Sequence, residues 1–226
     1  IERRLESIEE LNNDVITRDE IREYLNAIYD LERLMSKISY KSANPRDLIA
    51  FKNSLSMIPP IRYLLRNMTT PDMKEIYEAM DTLEDIAETI EKSIEDEPPI
   101  SIKEGGIIKT GYHEAVDKYR HAKTEGKQWL AQMEQTEREN TGIKNLRIKY
   151  NKVFGYYLEV TNSYKDLVPE TWTRKQTMAN AERYITPELK ELEDVILGAE
   201  EKLFSLEYDL FAMIRDQISG EVKRIQ

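Results

Sequence analysis

The chain has 226 residues, a formal net charge of −10, and 34% charged against 40% hydrophobic residues. With no cysteine, disulfides, cysteine-ligated zinc and thiol catalysis are excluded. No apolar run reaches the roughly 18 residues of a membrane span and no signal-peptide pattern opens the chain, so the expected setting is the cytosol.

The opening IERRLESIEEL places apolar residues at 1, 5, 8 and 11, a helical pattern already under way at the first residue, so the chain reads as part of a longer protein. Residues 1–97 read as short to medium helices. Thr17 with Glu20 predicts a capping box for a helix running to about Lys41, with the stripe Ile21, Leu25, Ile28, Leu31, Leu34 and Ile38. Asn44-Pro45 opens the next helix, which Pro59-Pro60 interrupts. Thr70-Pro71 starts a third, with Met73, Ile76, Met80, Leu83, Ile86, Ile90 and Ile94 facing inward until Pro98-Pro99. Residues 100–110 look like two short extended pieces joined at Gly105-Gly106.

Two long helices follow, from about Tyr112 to Glu139 and from Pro187 to about Ile218. The second carries Leu189, Leu192, Ile196, Ala199, Leu203, Leu206, Leu210 and Met213 at alternating spacings of three and four, a coiled-coil seam. It would be about 48 Å long. The first has a looser matching face of Tyr112, Val116, Tyr119, Ala122, Gly126, Leu130 and Met133, so an antiparallel pair is expected. Between them the period changes to two. NLRIKY (145–150) and FGYYLEV (154–160) alternate like strands around a turn at Asn151-Lys152-Val153, and TWTRKQT (171–177) suits a third strand. Thr186-Pro187 supplies an N-cap and a first-turn proline. The fold expected is mainly α: a helical body, a long antiparallel two-helix stalk resembling a coiled coil, and a small antiparallel β-containing tip.

Charge is uneven. Residues 143–186 hold eight cations (Lys144, Arg147, Lys149, Lys152, Lys165, Arg174, Lys175, Arg183) and four anions, so the tip is +4 on a chain that is otherwise −14. A basic tip on an acidic stalk is a footprint for a polyanion. Backbone phosphates require cations and amide donors rather than base edges. Arg174, Lys175 and Asn180 supply that mix, and Asn151 and Lys152 in the hairpin loop can add to it. The competing reading is a solvated sheet face, with Arg183 as a salt-bridge partner of Glu182 or Glu188. Tyr156, Tyr157 and Trp172 are expected to pack the sheet rather than stack on bases.

The stretch YNKVFGYYLEVTNSY followed by VPETWTRKQTMANAERYITPELKELEDVILGAEEK resembles the bacterial MutS family of DNA mismatch-repair proteins. NPRDL (44–48) and EGGIIKTGYHEAVDKYR (104–120) extend the likeness over essentially the whole chain. The resemblance implies that 1–123 and 191–226 form core and lever helices and that 124–190 form the inserted clamp. It implies double-stranded DNA as partner, held through its backbone without sequence preference, and a second subunit in the full-length protein, on DNA in the bacterial cytosol and away from membranes. Lys175 and Asn180 are then the first contact candidates and Arg174 the next, with Asn151 and Lys152 behind them. The family often has Lys just before that Asn, where this chain has Ala179. No Phe-x-Glu mismatch-reading motif and no G-x-x-x-x-G-K-[ST] phosphate loop occurs. The resemblance therefore implies a segment with no catalysis and no cofactor, ATP and magnesium belonging to the full-length protein. His113 and His121 lie about 80° apart around one helix, which does not suit shared metal ligation. Two other readings remain open: a helical scaffold without DNA binding, and a divergent relative acting on DNA junctions.

Overall fold

A computed structural model describes residues 2–225. In chain order it holds α1 (Glu2–Asn13), α2 (Val15–Ala27), α3 (Leu31–Ser39), α4 (Pro45–Leu55), α5 (Ile58–Leu65), α6 (Pro71–Ala79), α7 (Glu84–Ser93) and α8 (Glu114–Thr141). Then come β1 (Arg147–Asn151), β2 (Gly155–Thr161), β3 (Thr173–Thr177), β4 (Ala181–Ile185), α9 (Pro187–Gly220) and α10 (Val222–Ile225). Residues up to Tyr112, with those from Leu206 on, form one compact unit, and His113–Ser205 form another.

In the first unit α4 begins as its sequence dictates. Asn44 accepts the Asp47 amide at 2.9 Å, Asp47 accepts the Asn44 amide at 3.0 Å, and Pro45 fills the first turn. Leu48, Phe51 and Leu55 of α4, Leu34 and Ile38 of α3, and Ile90 of α7 are buried. Ile61, Leu65 and Met68 form a second cluster under Leu11, Ile21 and Ile28.

Three expectations are corrected here. The single helix over 17–41 is two, because Asp14 rather than Thr17 caps α2, accepting the Thr17 amide at 3.1 Å and its hydroxyl at 2.7 Å. Asp30 then caps α3 by accepting the Arg33 amide at 2.9 Å. Likewise 71–94 divides into α6 and α7: Asp81 accepts the Leu83 amide at 3.0 Å and Leu83 adopts a left-handed φ of 53°. Thr70 makes no cap bond and instead donates its hydroxyl to Glu10 at 2.7 Å. Of the two extended pieces expected over 100–110, the first is a 3-10 turn (Ile102–Glu104), and the second makes one bridge, Ile108 to Ile94.

In the second unit α8 runs antiparallel to the first half of α9. Lys123 pairs with Glu200 at 2.6 Å, and Gly126 lies directly against Ile196. The expected face of α8 is the one that packs: Val116, Gly126 and Leu130 are buried. Along α9, Leu189, Ile196, Ala199, Leu203 and Leu210 are buried as expected, but Met213 is 56% exposed while Phe211, Ile214 and Ile218 are buried. An α-helix has 3.6 residues per turn, so a strict heptad stripe drifts about 20° each heptad and the buried face slips onto the next residues.

The sheet has strand order β1-β2-β4-β3, all antiparallel. Its fourth strand, Ala181–Ile185, was not expected from the sequence. Asn151 pairs with Gly155, so the hairpin loop is 152–154 rather than 151–153. Gly155 takes φ +76°, which glycine adopts without strain. Leu146, Leu158, Val160, Trp172 and Tyr184 close a core with Leu130, Ile143, Leu189 and Ile196. Thr186 caps α9 by accepting the Leu189 amide at 3.1 Å.

Candidate nucleic-acid interface

Half of the tip's cations are spent on carboxylates of the sheet or of α8. Lys149 bonds Glu159 at 2.6 Å, and Arg183 lies 3.5 Å from the same carboxylate and 4.5 Å above the Tyr157 ring. Arg183 also donates to Gln176 at 2.8 Å. The expected salt-bridge role of Arg183 is therefore met, with Glu159 in place of Glu182 or Glu188. Arg147 pairs with Glu134 at 3.1 Å and Arg174 with Glu182 at 3.4 Å. Glu182 also accepts the Tyr184 hydroxyl, a bond that with Arg174 lowers the Glu182 pKa. Burial and that carboxylate push Tyr184 up to about 12. Lys144, Lys152, Lys165 and Lys175 have no ion-pair partner among the described residues.

The register places these lysines at different ends. Thr161 pairs with Ala181, so the β3–β4 turn (178–180) shares an end with the start of the 3-10 stretch Asn162–Leu167. Asn162 ties that turn down: its amide donates to the Asn180 carbonyl at 3.1 Å and its Nδ2 to the Ala179 carbonyl at 3.0 Å. Asn145, next to Lys144, bonds Thr161 at the same end. Lys175 and Asn180 are exposed. Lys175 is the extra residue of a bulge between Arg174 and Gln176, on an edge strand. A lysine on a bulged edge also discourages strand addition, a structural role that needs no ligand.

The hairpin loop lies at the opposite end, away from that turn by about the 20 Å that a seven-residue strand spans. Asn151 is engaged locally, accepting the Val153 amide at 2.8 Å, and Lys190 of α9 holds the Phe154 carbonyl at 3.2 Å. The structure thus brings Arg174, Lys175 and Asn180 together on β3 and its turn, and leaves Asn151 and Lys152 apart. Lys144 and Lys165, counted in the sequence but not singled out, join the turn end. Asn145 and Asn162, polar residues flanking β1 and β2, were the available signal. Trp172 is 9% and Tyr157 4% exposed, and Tyr156 packs at a tilt against Tyr150 with ring centroids 4.9 Å apart, so these rings pack rather than present a stacking platform.

No helix among the described residues is long and apolar enough to cross a membrane. Residues 111–202 match the family model described as MutS family domain IV. All 226 residues align with DNA mismatch repair protein MutS of Lachnoclostridium phytofermentans at 70% identity, covering 24% of that protein. The MutS proteins of Caldanaerobacter subterraneus (57%, covering 26%) and Halothermothrix orenii (52%, covering 25%) align over the same full length. The chain thus spans about a quarter of the length of the curated relatives it matches.

Proposed function

Because this chain belongs to the MutS family, we propose that it serves DNA mismatch repair as the non-catalytic core and clamp segment of a longer protein. The tip of the 113–205 unit holds duplex DNA by its phosphates. One observation supports this reading: among the described residues, Lys144 and Lys165 near the end where Asn162 fixes the β3–β4 turn, and Lys175 on the β3 bulge that leads into it, have no ion-pair partner, while Lys149 and Arg183 are held by Glu159. Lys175 and Asn180 make the leading contacts and Arg174 adds a weaker one, its charge shared with Glu182. Phosphate contact positions without reading bases, so mismatch recognition and ATP hydrolysis with its magnesium fall to the rest of the protein. A second subunit would close the grip around the duplex. The test is fluorescence anisotropy of a labelled homoduplex and a G·T duplex titrated with this chain at low and moderate salt. Equal, salt-sensitive binding supports the proposal. A clear preference for the mismatch overturns the division of labour, and salt-insensitive capture of a protein instead of DNA favours a scaffold.

A further inference from the structure

Each long helix of the 113–205 unit carries an acid–base pair that grips two backbone groups of the sheet. On α8, Glu134 and Arg138 are ion-paired; Glu134 Oε2 accepts the Ile148 amide at 2.7 Å and Arg138 Nε donates to the Leu146 carbonyl at 2.8 Å. On α9, Lys190 and Glu193 are ion-paired at 2.9 Å; Glu193 Oε2 accepts the Tyr156 amide at 2.5 Å and Lys190 donates to the Phe154 carbonyl at 3.2 Å. Both grips take the carbonyl of one residue and the amide of the residue two further on. The Ile148 and Tyr156 amides lie on strands, on sides where a neighbouring strand would bond them, while the Leu146 and Phe154 carbonyls belong to the turns that lead into those strands.

The register explains why such substitutes are needed. β4 accompanies β2 only as far as Tyr184 opposite Leu158, so Tyr156 and Phe154 lie beyond the end of that neighbour. β1 is an edge strand, and its outer side at Ile148 has no strand beside it. Glu193 is 8% exposed, and a Cβ on Gly155 would run into its carboxylate, so glycine is what lets the helix come this close. Apolar packing of the sheet on α8 and α9 is non-directional. Charge-assisted hydrogen bonds are directional and short. One attachment on each helix removes the rotation that a single attachment would leave.

We infer that these two ion pairs stand in for missing strands and fix the angle of the sheet on its helix pair, which makes Glu134 and Glu193 positioning residues for the tip. The angle matters for DNA only if the proposed grip is right, so the test has an arm without DNA. The chain has no cysteine, and spin labels can be placed at Lys127→Cys on α8 and Met178→Cys in the β3–β4 turn. Dipolar spectroscopy should give one narrow distance for the parent. Glu134→Ala with Glu193→Ala should broaden it or add a second distance. Glu134→Gln with Glu193→Gln, which keeps an acceptor oxygen at each site, should stay near the parent and remains informative if the alanine pair does not fold. A parental distance in the folded alanine pair, or equal broadening in both pairs, overturns the inference. In the second arm the alanine pair should lose duplex affinity by roughly tenfold, about the worth of one such bond. Its salt dependence should stay unchanged, since no phosphate-facing cation has been removed. A parent that binds no duplex defeats the proposed function, and the distance arm alone then decides this one.

Discussion

Gly126→Ala sets two effects of opposite sign against each other. Replacing glycine inside a helix by alanine is worth about 1 kcal/mol of stability when the new methyl meets nothing. At Gly126 the methyl meets Ile196: its Cγ1 lies well inside contact distance, its Cδ1 at 3.1 Å and its Cβ at 3.6 Å. Ile196 is 1% exposed and packed in the core with Leu130 and Leu189, so it has no room to swing aside. Overpacking of this kind costs about 1–3 kcal/mol, which outweighs the propensity gain. The expected net loss is about 1 kcal/mol, or about 3 °C in Tm for a chain of this size. Gly198, in α9, is the control, because a Cβ there meets nothing within 4 Å; Gly198→Ala should stabilise by about 1 kcal/mol. In an Ile196→Ala background only the 3.6 Å contact remains, and Gly126→Ala should turn stabilising. The assay is thermal unfolding followed by circular dichroism. Equal stabilisation by Gly126→Ala and Gly198→Ala in the parent would refute the close helix approach.

Glu137 and Glu188 line one cleft of about 600 Å³ beside Trp172. Burial first, and then the Glu188 charge, raise the Glu137 pKa. A carboxyl whose folded pKa is raised contributes stability at low pH that is lost as pH climbs through that value. Glu137→Gln should therefore raise Tm at pH 7 and lose its advantage near pH 4; an equal gain at both would count against a raised pKa at this half-buried carboxyl. Glu10 behaves oppositely. Burial works to raise its pKa, but the hydroxyls and amides of Thr70 and Thr69 outweigh it and bring it to about 2. Its contribution is present above the ordinary carboxylate range and fades as pH falls from 4.5 toward 2, so Glu10→Gln should flatten the acid limb of a melting-versus-pH curve. For DNA, each phosphate-facing cation adds about 0.9 to the salt slope, or about 3.5-fold in affinity between 50 and 200 mM salt. Lys175→Ala should remove one such factor, while Lys149→Ala, whose ammonium is held by Glu159, should leave the slope as it is. Reversed slopes for these two variants would contradict the assignment of free and spent charges.

What the sequence disclosed was set by local chemistry. The Asn44-Pro45 start of α4 and the Thr186 cap of α9 depend on neighbours within three residues, and both formed as read, with Asp47 adding a capping box that was not expected from the sequence. The breaks at 28–30 and 80–83 were hidden because the apolar stripe stays in phase across them while Asp30 and Asp81 take backbone amides. Strand β4 has little alternation of its own; Tyr184 is drawn into the core and Arg183 onto Tyr157 by partners far away in sequence. The same holds for the candidate interface. A net charge of +4 was countable, but which cations are spent on Glu159, Glu134 and Glu182 is a matter of cross-strand register. Register also separates the hairpin loop from the β3–β4 turn, which no spacing rule in the sequence could have shown.

The most direct test compares two double variants on one labelled homoduplex at low salt: Lys175→Ala/Asn180→Ala on β3 and its turn, and Asn151→Ala/Lys152→Ala at the hairpin. The account predicts a loss of about tenfold or more for the first, since charged hydrogen bonds are worth about 1.5–3 kcal/mol each, and near-parental affinity for the second. Parental affinity in the first variant, or an equal loss in the hairpin variant, would contradict a phosphate grip located on β3 and its turn.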